Sequence, residues 1–345
     1  MATPKKKQVQ TSDQHGTTQV KGTLAQDYVT VVGASYMSMI EKLRSQRGNK
    51  MRFINQGIRQ LTKYPEGTPN FSRQRVFLIF KDDYEEKLLT AVKNLVESEH
   101  GAQYRELDSI SGLVDFIQAR QRRGREIKQL DFFSHGVVGS IELGYELDKR
   151  DSYRLRDAQA QMFKPEAFAY GARIYSYACR TGLGIDANFK VNEGEDPHYE
   201  RSLAQILANT TKATVWAFPR RSNYDTTYGT AAERESVGGI RQKMSSDRLA
   251  QQQYQKNKIA YLRKLAEHRK TVKNDSAELP GEQAPVAPVP TVTEEQRNLL
   301  AHVDSRQKYE TQIGYPLDAL GAHRDVRSGD TPDGVPKQLR EYKPV

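Results

Sequence analysis

Apolar residues recur at two different periods along this 345-residue chain. From Leu24 to Thr62 the spacing is roughly helical, through Met37, Ile40 and Leu43 and then Phe53, Ile54, Ile58 and Leu61, with Gly48-Asn49 dividing it into two helices. Pro65-Glu-Gly-Thr-Pro69 stops the pattern. Residues 23–70 are therefore expected to form a helical N-terminal extension, behind a polar arm over 1–22 that has nothing to bury and is expected to be disordered.

Beyond Pro69 the character changes. Arg75-Val-Phe-Leu-Ile-Phe80 is a continuous apolar run, the mark of a strand buried on both faces. An amphipathic helix follows over Asp82–Glu99, a shorter strand over Gln103–Leu107 and a second helix over Ile110–Arg123. Ile127–Phe133 reads as a strand that runs into Ser134-His135-Gly136. Ser140–Tyr145 alternates like a hairpin arm, and Pro165–Tyr170 suits a short helix. Ala172–Ala178 is a strand ending at Cys179, Tyr199–Thr211 a helix, and Ala213–Phe218 a strand stopped by Pro219. Strands alternating with helices predict βαβ units with right-handed crossovers. The expected fold class is α/β: a mostly parallel sheet with helices on both faces, over residues 75–228. A basic helix (240–275), a Pro-rich linker (278–293) and a C-terminal helix with a polar tail (294–345) complete the expected organisation.

The composition, 37% hydrophobic and 28% charged with a mean hydropathy of −0.78, suits a soluble chain with polar extensions. No run of about 18 apolar residues occurs, so no transmembrane segment is expected. The start, Met1-Ala-Thr-Pro-Lys-Lys-Lys7, lacks the apolar stretch of a Sec signal peptide, which leaves a cytoplasmic location or export by another route. The net charge of +10 is concentrated in the flanks: residues 1–70 hold 11 Lys/Arg against 4 Asp/Glu, and residues 241–273 hold 10 against 2. Such flanks suit an acidic partner or nucleic acid, and equally a solvated surface.

The chain has one cysteine, which excludes an intramolecular disulfide and a cysteine-based zinc site. In an open α/β sheet, ligands bind beyond the carboxyl ends of the strands. His135 and Cys179 both sit at such ends, on consecutive core strands. A thiol needs a proton acceptor to become a thiolate, and an imidazole in reach supplies one. Gly136 permits close backbone approach, and its N–H with that of Cys179 offers the donor pair an oxyanion requires.

Phe132-Phe-Ser-His-Gly136 resembles the apolar-strand-then-His-Gly signature of the caspase, gingipain, CHAT and metacaspase superfamily (clan CD). Tyr177-Ala-Cys-Arg-Thr-Gly182 is similar to its Ala-Cys-Arg-Gly cysteine loop, and the histidine precedes the cysteine at a spacing near the caspase one. The resemblance covers residues 75–228. It implies a caspase-like fold with flavodoxin-like strand order, a Cys-His dyad and peptide-bond hydrolysis through a thioester. It implies no metal and no cofactor. Tyr177 stands where caspases carry a pocket-lining glutamine, so their side-chain preference is not carried over. Arg220, Arg221 and Ser222, after the next strand, are candidate substrate-binding residues, and arginines there suit an acidic residue before the scissile bond.

The remaining histidines carry less. His15 lies in the arm, His302 and His323 in the C-terminal segments, and His268 on the basic helix; His100 ends a helix beside Gly101. His198, in Glu193-Gly-Glu-Asp-Pro-His198, suits either a solvated loop or a cation. Lys5-Lys6-Lys7 is a short basic run on a terminus, and Gly182-Leu-Gly184 lacks the rest of a dinucleotide fingerprint. Two function classes emerge: a cysteine endopeptidase of the effector or defence type, and a non-catalytic caspase-like scaffold that binds nucleic acid or a protein partner through its basic ends.

Overall fold

Buried peptide groups must find hydrogen-bond partners, and the apolar runs of this chain find them in one seven-stranded sheet. A computed structural model describes residues 25–35, 50–69, 71–144, 151–224, 229–272, 279 and 281–345. The expected arm (1–22), with Lys5-Lys6-Lys7 and His15, lies outside these residues, as do Met37, Ile40 and Leu43.

The sheet strands are β1 (Ala25–Val32), β2 (Arg73–Phe80), β3 (Gln103–Leu107), β4 (Arg125–Phe133), β8 (Phe168–Ser176), β9 (Thr214–Ala217) and β12 (Arg340–Tyr342). Their spatial order is β12-β9-β8-β4-β1-β2-β3. All pairs are parallel except β12, which closes one edge antiparallel to β9. Counted along the chain, the parallel strands run 3-2-1-4-5-6. One more strand than in the flavodoxin-like order therefore lies outside β2, because β3 continues outward after the first crossover. The architecture is mixed α/β with a mostly parallel sheet and helices on both faces.

Alternation along each strand divides the core in two. On one face Val29, Val31, Leu78, Leu130 and Ile174 pack under α3 (Ile110–Arg122) and α4 (Leu203–Thr211). On the other, Tyr28, Val32, Phe77 and Ile79 pack under α1 (Arg52–Lys63) and α2 (Glu86–Asn94). Ser109 and Ser202 cap α3 and α4, each accepting a main-chain N–H with its hydroxyl.

Four boundaries need correction. The expected helical extension over 23–70 opens as β1, a central strand between β2 and β4, so the sheet domain begins at Ala25 rather than at 75. Tyr28-Val-Thr-Val-Val32 is β-branched and stiff, and its partners lie more than forty residues away, outside any local period. At the other end, the expected polar tail supplies β12, and Leu317, Ala322 and Tyr342 are buried. A three-residue edge strand with one inward side chain leaves no periodic signal. The expected short helix at 165–170 is a single turn, Pro165–Ala167, after which Phe168 already begins β8.

The basic helix starts earlier than expected, as α5 (Ala231–Val272), 42 residues or about 63 Å of helix. It buries Val237 and Ile240 against Leu299 and Leu300 of α6 (Glu294–Ile313). The Pro-rich segment runs back along it. The Asp247 carboxylate accepts the N–H (2.9 Å) and hydroxyl (2.8 Å) of Thr291, and Lys264 pairs with Glu282 at 2.6 Å. From 264 to 247 a helix spans about 25 Å, and from 282 to 291 a polyproline strand spans about 28 Å, so the two anchors match in length. No helix among the described residues is long and apolar enough to cross a membrane.

Beneath the carboxyl ends of the strands, β4 buries an acid. Asp131 is fully buried; Gln129 Nε2 donates to its Oδ2 at 2.9 Å, and Tyr64 OH bonds the same oxygen. Burial pushes the Asp131 carboxyl up to about 7, because lost hydration outweighs those hydrogen bonds. The folded chain thus holds this proton more tightly than the unfolded chain, whose carboxyl keeps its ordinary value of 3.8. Between about pH 4 and pH 7 only the folded state is protonated at this site, so stability falls as pH rises through that window. Asp131→Asn is expected to flatten that slope and to exceed the wild type in stability at pH 8. Urea unfolding midpoints across pH 4–8 check this, and an unchanged slope in the variant contradicts it.

Candidate active site

Parallel pairing of β4 with β8, with Phe132 opposite Ser176, brings the carboxyl ends of these strands side by side. Tyr177 N–H continues the ladder to Phe132 O at 3.0 Å, and the rings of Phe133 and Tyr177 stack at 4.7 Å. Two residues further on each chain stand His135 and Cys179. Both line one cleft of about 220 Å³.

Gly136 is what lets the two loops meet. A Cβ built there would lie 2.8 Å from Ala178 Cβ and 2.8 and 2.9 Å from the carbonyl oxygen and nitrogen of Cys179. No side chain fits in that gap. The close approach expected of this glycine is thus made first to the chain's own cysteine loop. It sets the Gly136 and Cys179 peptides against each other.

His135 begins a small antiparallel sheet of β5 (His135–Val137), β6 (Ser140–Glu142) and β7 (Arg154–Leu155). Its ring meets Phe53 of α1 edge to face, at 4.9 Å and 86°. Phe53 meets Tyr224 in the same way, at 4.9 Å and 84°. Tyr224 in turn donates to Tyr177 O at 2.9 Å, and its burial pushes the phenol well above its ordinary range. The imidazole therefore rests on an aromatic wall drawn from three separate segments.

The Cys179 loop is held with equal care. Arg180 takes a left-handed conformation (φ +59°), and its N–H bonds Arg220 O at 2.9 Å. Thr181 Oγ1 lies 2.8 Å from Ser176 Oγ, and Gly182 N–H bonds Phe218 O at 3.1 Å. The Arg180 guanidinium leaves the cleft for Ala187 O (3.1 Å) and Asn188 Oδ1 (2.6 Å), where burial lowers its pKa. Cys179 Sγ is partly buried. It accepts the main-chain N–H of Ser222 at 3.2 Å and lies 3.2 Å from Ser222 Oγ.

The three candidate substrate-binding residues part company. Arg221 and Ser222 line the cleft. Arg220 does not: it is buried and donates to Val335 O (2.7 Å), Asp330 O (2.5 Å) and Asp333 Oδ1 (3.1 Å). It clamps the C-terminal segment through those three bonds. That segment then pairs with the cleft rim. β10 (Ser222–Asn223) lies antiparallel to β11 (Arg327–Ser328), and Arg221 exchanges main-chain bonds of 2.6 Å with Thr331 and Gly329.

Sequence reasoning missed Arg52, Phe53, Tyr224 and residues 329–331, all of which line the cleft. Arg52 and Phe53 read as ordinary helix residues. Gly329-Asp330-Thr331 sits in a polar tail without a motif, and only tertiary pairing carries it here. Among the described residues, the group with metal-ligand spacing is Asp196, His198 and Glu200, on an exposed loop outside the cleft lining. There His198 Nδ1 lies 2.9 Å from Glu200, and that hydrogen bond lowers the Glu200 pKa. His302 is buried 3.0 Å from Asp318, and His100 bonds Ala319 O at 2.9 Å.

No protein-family model matches this chain, and no curated protein is significantly similar to it in sequence.

The packing at Gly136 has a direct consequence. Gly136→Ala is expected to lower stability by about 1–3 kcal/mol, since the methyl must push the two loops apart. Gly238→Ala, in open space on α5, is expected to add up to about 1 kcal/mol. Paired urea midpoints decide, and an unaltered midpoint in Gly136→Ala removes the loop contact from the account.

Proposed function

We propose that the chain is a caspase-like cysteine endopeptidase. One observation carries the reading: His135 and Cys179 lie beyond the carboxyl ends of neighbouring parallel strands and line one cleft, with Gly136 packed against the cysteine loop. His135 takes the thiol proton of Cys179, and the thiolate attacks the scissile carbonyl carbon. The negative charge moves to the carbonyl oxygen, which the N–H groups of Gly136 and Cys179 receive. As the C–N bond breaks, His135 returns the proton to the leaving amine and a thioester remains. Water, deprotonated by His135, then attacks the thioester, and the electron pair of the breaking C–S bond returns to sulfur.

The cleft lining supports an acidic side chain in the substrate. Arg52 and Arg221 line it beside a single acid, Asp330, whose carboxylate is paired with Lys337 at 3.1 Å. A guanidinium pairs with a carboxylate through two parallel hydrogen bonds. Arg52 also donates to Ser35 Oγ at 2.9 Å, which fixes its approach.

A second reading, a non-catalytic scaffold, is favoured by α5, where Arg248, Lys256, Arg263 and Lys270 are exposed at near-heptad spacing and suit an anionic partner. A peptide library rich in Asp and Glu separates the two. The wild type is expected to cleave, and Cys179→Ala and His135→Ala to lose at least about 100-fold. Undiminished cleavage by both variants would sink the peptidase assignment. Salt-dependent binding of a polyanion that survives in Cys179→Ala, with no cleavage by the wild type, selects the scaffold.

A further inference from the structure

Ser222 presents three atoms to Cys179. Its N–H points at Sγ from 3.2 Å, its hydroxyl oxygen lies 3.2 Å from Sγ, and its carbonyl oxygen lies 3.9 Å away. The hydroxyl can rotate, but the main-chain N–H cannot. Its direction is set from both sides. Ser222 and Asn223 pair with Ser328 and Arg327, Arg221 is bonded through both its N–H and its carbonyl to Thr331 and Gly329, and the buried Arg220 guanidinium ties Asp330, Asp333 and Val335 to the same turn.

We propose that Ser222 is a positioning residue for the thiol, and that its main-chain N–H is the fixed hydrogen-bond donor to the Cys179 thiolate. The inference rests on the thiol chemistry proposed above and adds a second support for the thiolate beside His135. A hydrogen bond donated to an ionised group favours the ionised form, and a donor already aimed at the charge needs no reorganisation when the charge appears. The charge appears on sulfur twice. It forms when His135 removes the thiol proton, and it returns when the C–S bond of the thioester breaks and its electron pair goes back to sulfur. The same N–H receives both. The nine residues from Arg327 to Val335 therefore belong to the site, because they aim this donor, although none of them approaches Sγ itself within hydrogen-bond distance.

The test reads the thiol without any substrate. Iodoacetamide alkylation of Cys179 in the full chain is followed from pH 5 to pH 9, with far-UV circular dichroism and thermal melting for each variant. Ser222→Ala keeps the N–H and loses the hydroxyl; its rate at pH 6.5 is expected to fall about twofold to threefold. Ser222→Pro removes the N–H. Its rate at that pH is expected to fall about tenfold, with the acid arm of the profile displaced upward by about one pH unit. Arg220→Gln loosens the clamp without touching sulfur and is expected to displace the profile in the same direction by a smaller amount. A folded Ser222→Pro with the wild-type profile overturns the proposal. If Ser222→Pro does not fold, Arg220→Gln decides, and a folded Arg220→Gln with the wild-type profile overturns it too. A displaced profile without hydrolysis of any peptide leaves this role standing and removes the peptidase reading. Hydrolysis with an unmoved profile does the reverse.

Discussion

The site depends on one contact, the approach of the Gly136 peptide to the Cys179 peptide across the ends of β4 and β8. Two parallel strands carry their side chains forward together, but the loops beyond them normally diverge, because side chains need room. Removing the Cβ at Gly136 lets the loops stay in register for two more residues. His135 and Cys179 are then placed by the sheet's own geometry, with no need for a flexible loop to bring them together. Around that contact the chain spends several independent supports. An aromatic wall stands behind the imidazole, a left-handed turn follows the cysteine, and a paired rim strand faces the sulfur.

Much of this was legible in the sequence, for a physical reason. A strand buried on both faces is a continuous apolar run, as at 76–80. Residues 127–133 and 172–178 carry Lys128, Gln129, Asp131, Arg173 and Ser176 among their apolar residues, and are legible as strands from their place between helical segments. The strand ends, and with them His135, Gly136 and Cys179, follow directly. β1 was misread because its spacing merges with the amphipathic pattern that follows, and its partners, β2 and β4, lie more than forty residues on. The rim strand was invisible for a different reason. β10 and β11 are two residues each and pair across about a hundred residues, so their stability is tertiary and leaves no local period. Phe53 and Arg52 show the same limit. A helix reveals which residues are buried, but not what they are buried against.

The acid beneath the site follows from the same economy of space. A sheet covered on both faces has no water for a polar side chain, so Asp131 keeps its proton up to about pH 7 and is held by Tyr64 and Gln129. Tyr64 closes α1, the helix that also supplies Phe53 and Arg52. The buried network therefore fixes the angle at which α1 crosses the sheet, and through Phe53 the seat of the imidazole. Polar burial so close to the site gives α1 a unique position that apolar packing alone, with its tolerance for sliding, does not enforce.

Four arginines surround the cysteine, and they divide by partner rather than by residue type. Arg180 and Arg220 are buried and bonded to backbone carbonyls, so their charge is consumed in holding loops. Arg52 and Arg221 line the cleft. The chain bends at Pro219-Arg220, and past that bend Arg221 lines the cleft while Arg220 lies buried under the C-terminal segment. Which of the two arginines becomes the anchor depends on the segment that covers it. Here that segment is Asp330–Val335, more than a hundred residues downstream, and it makes residue 220 the anchor.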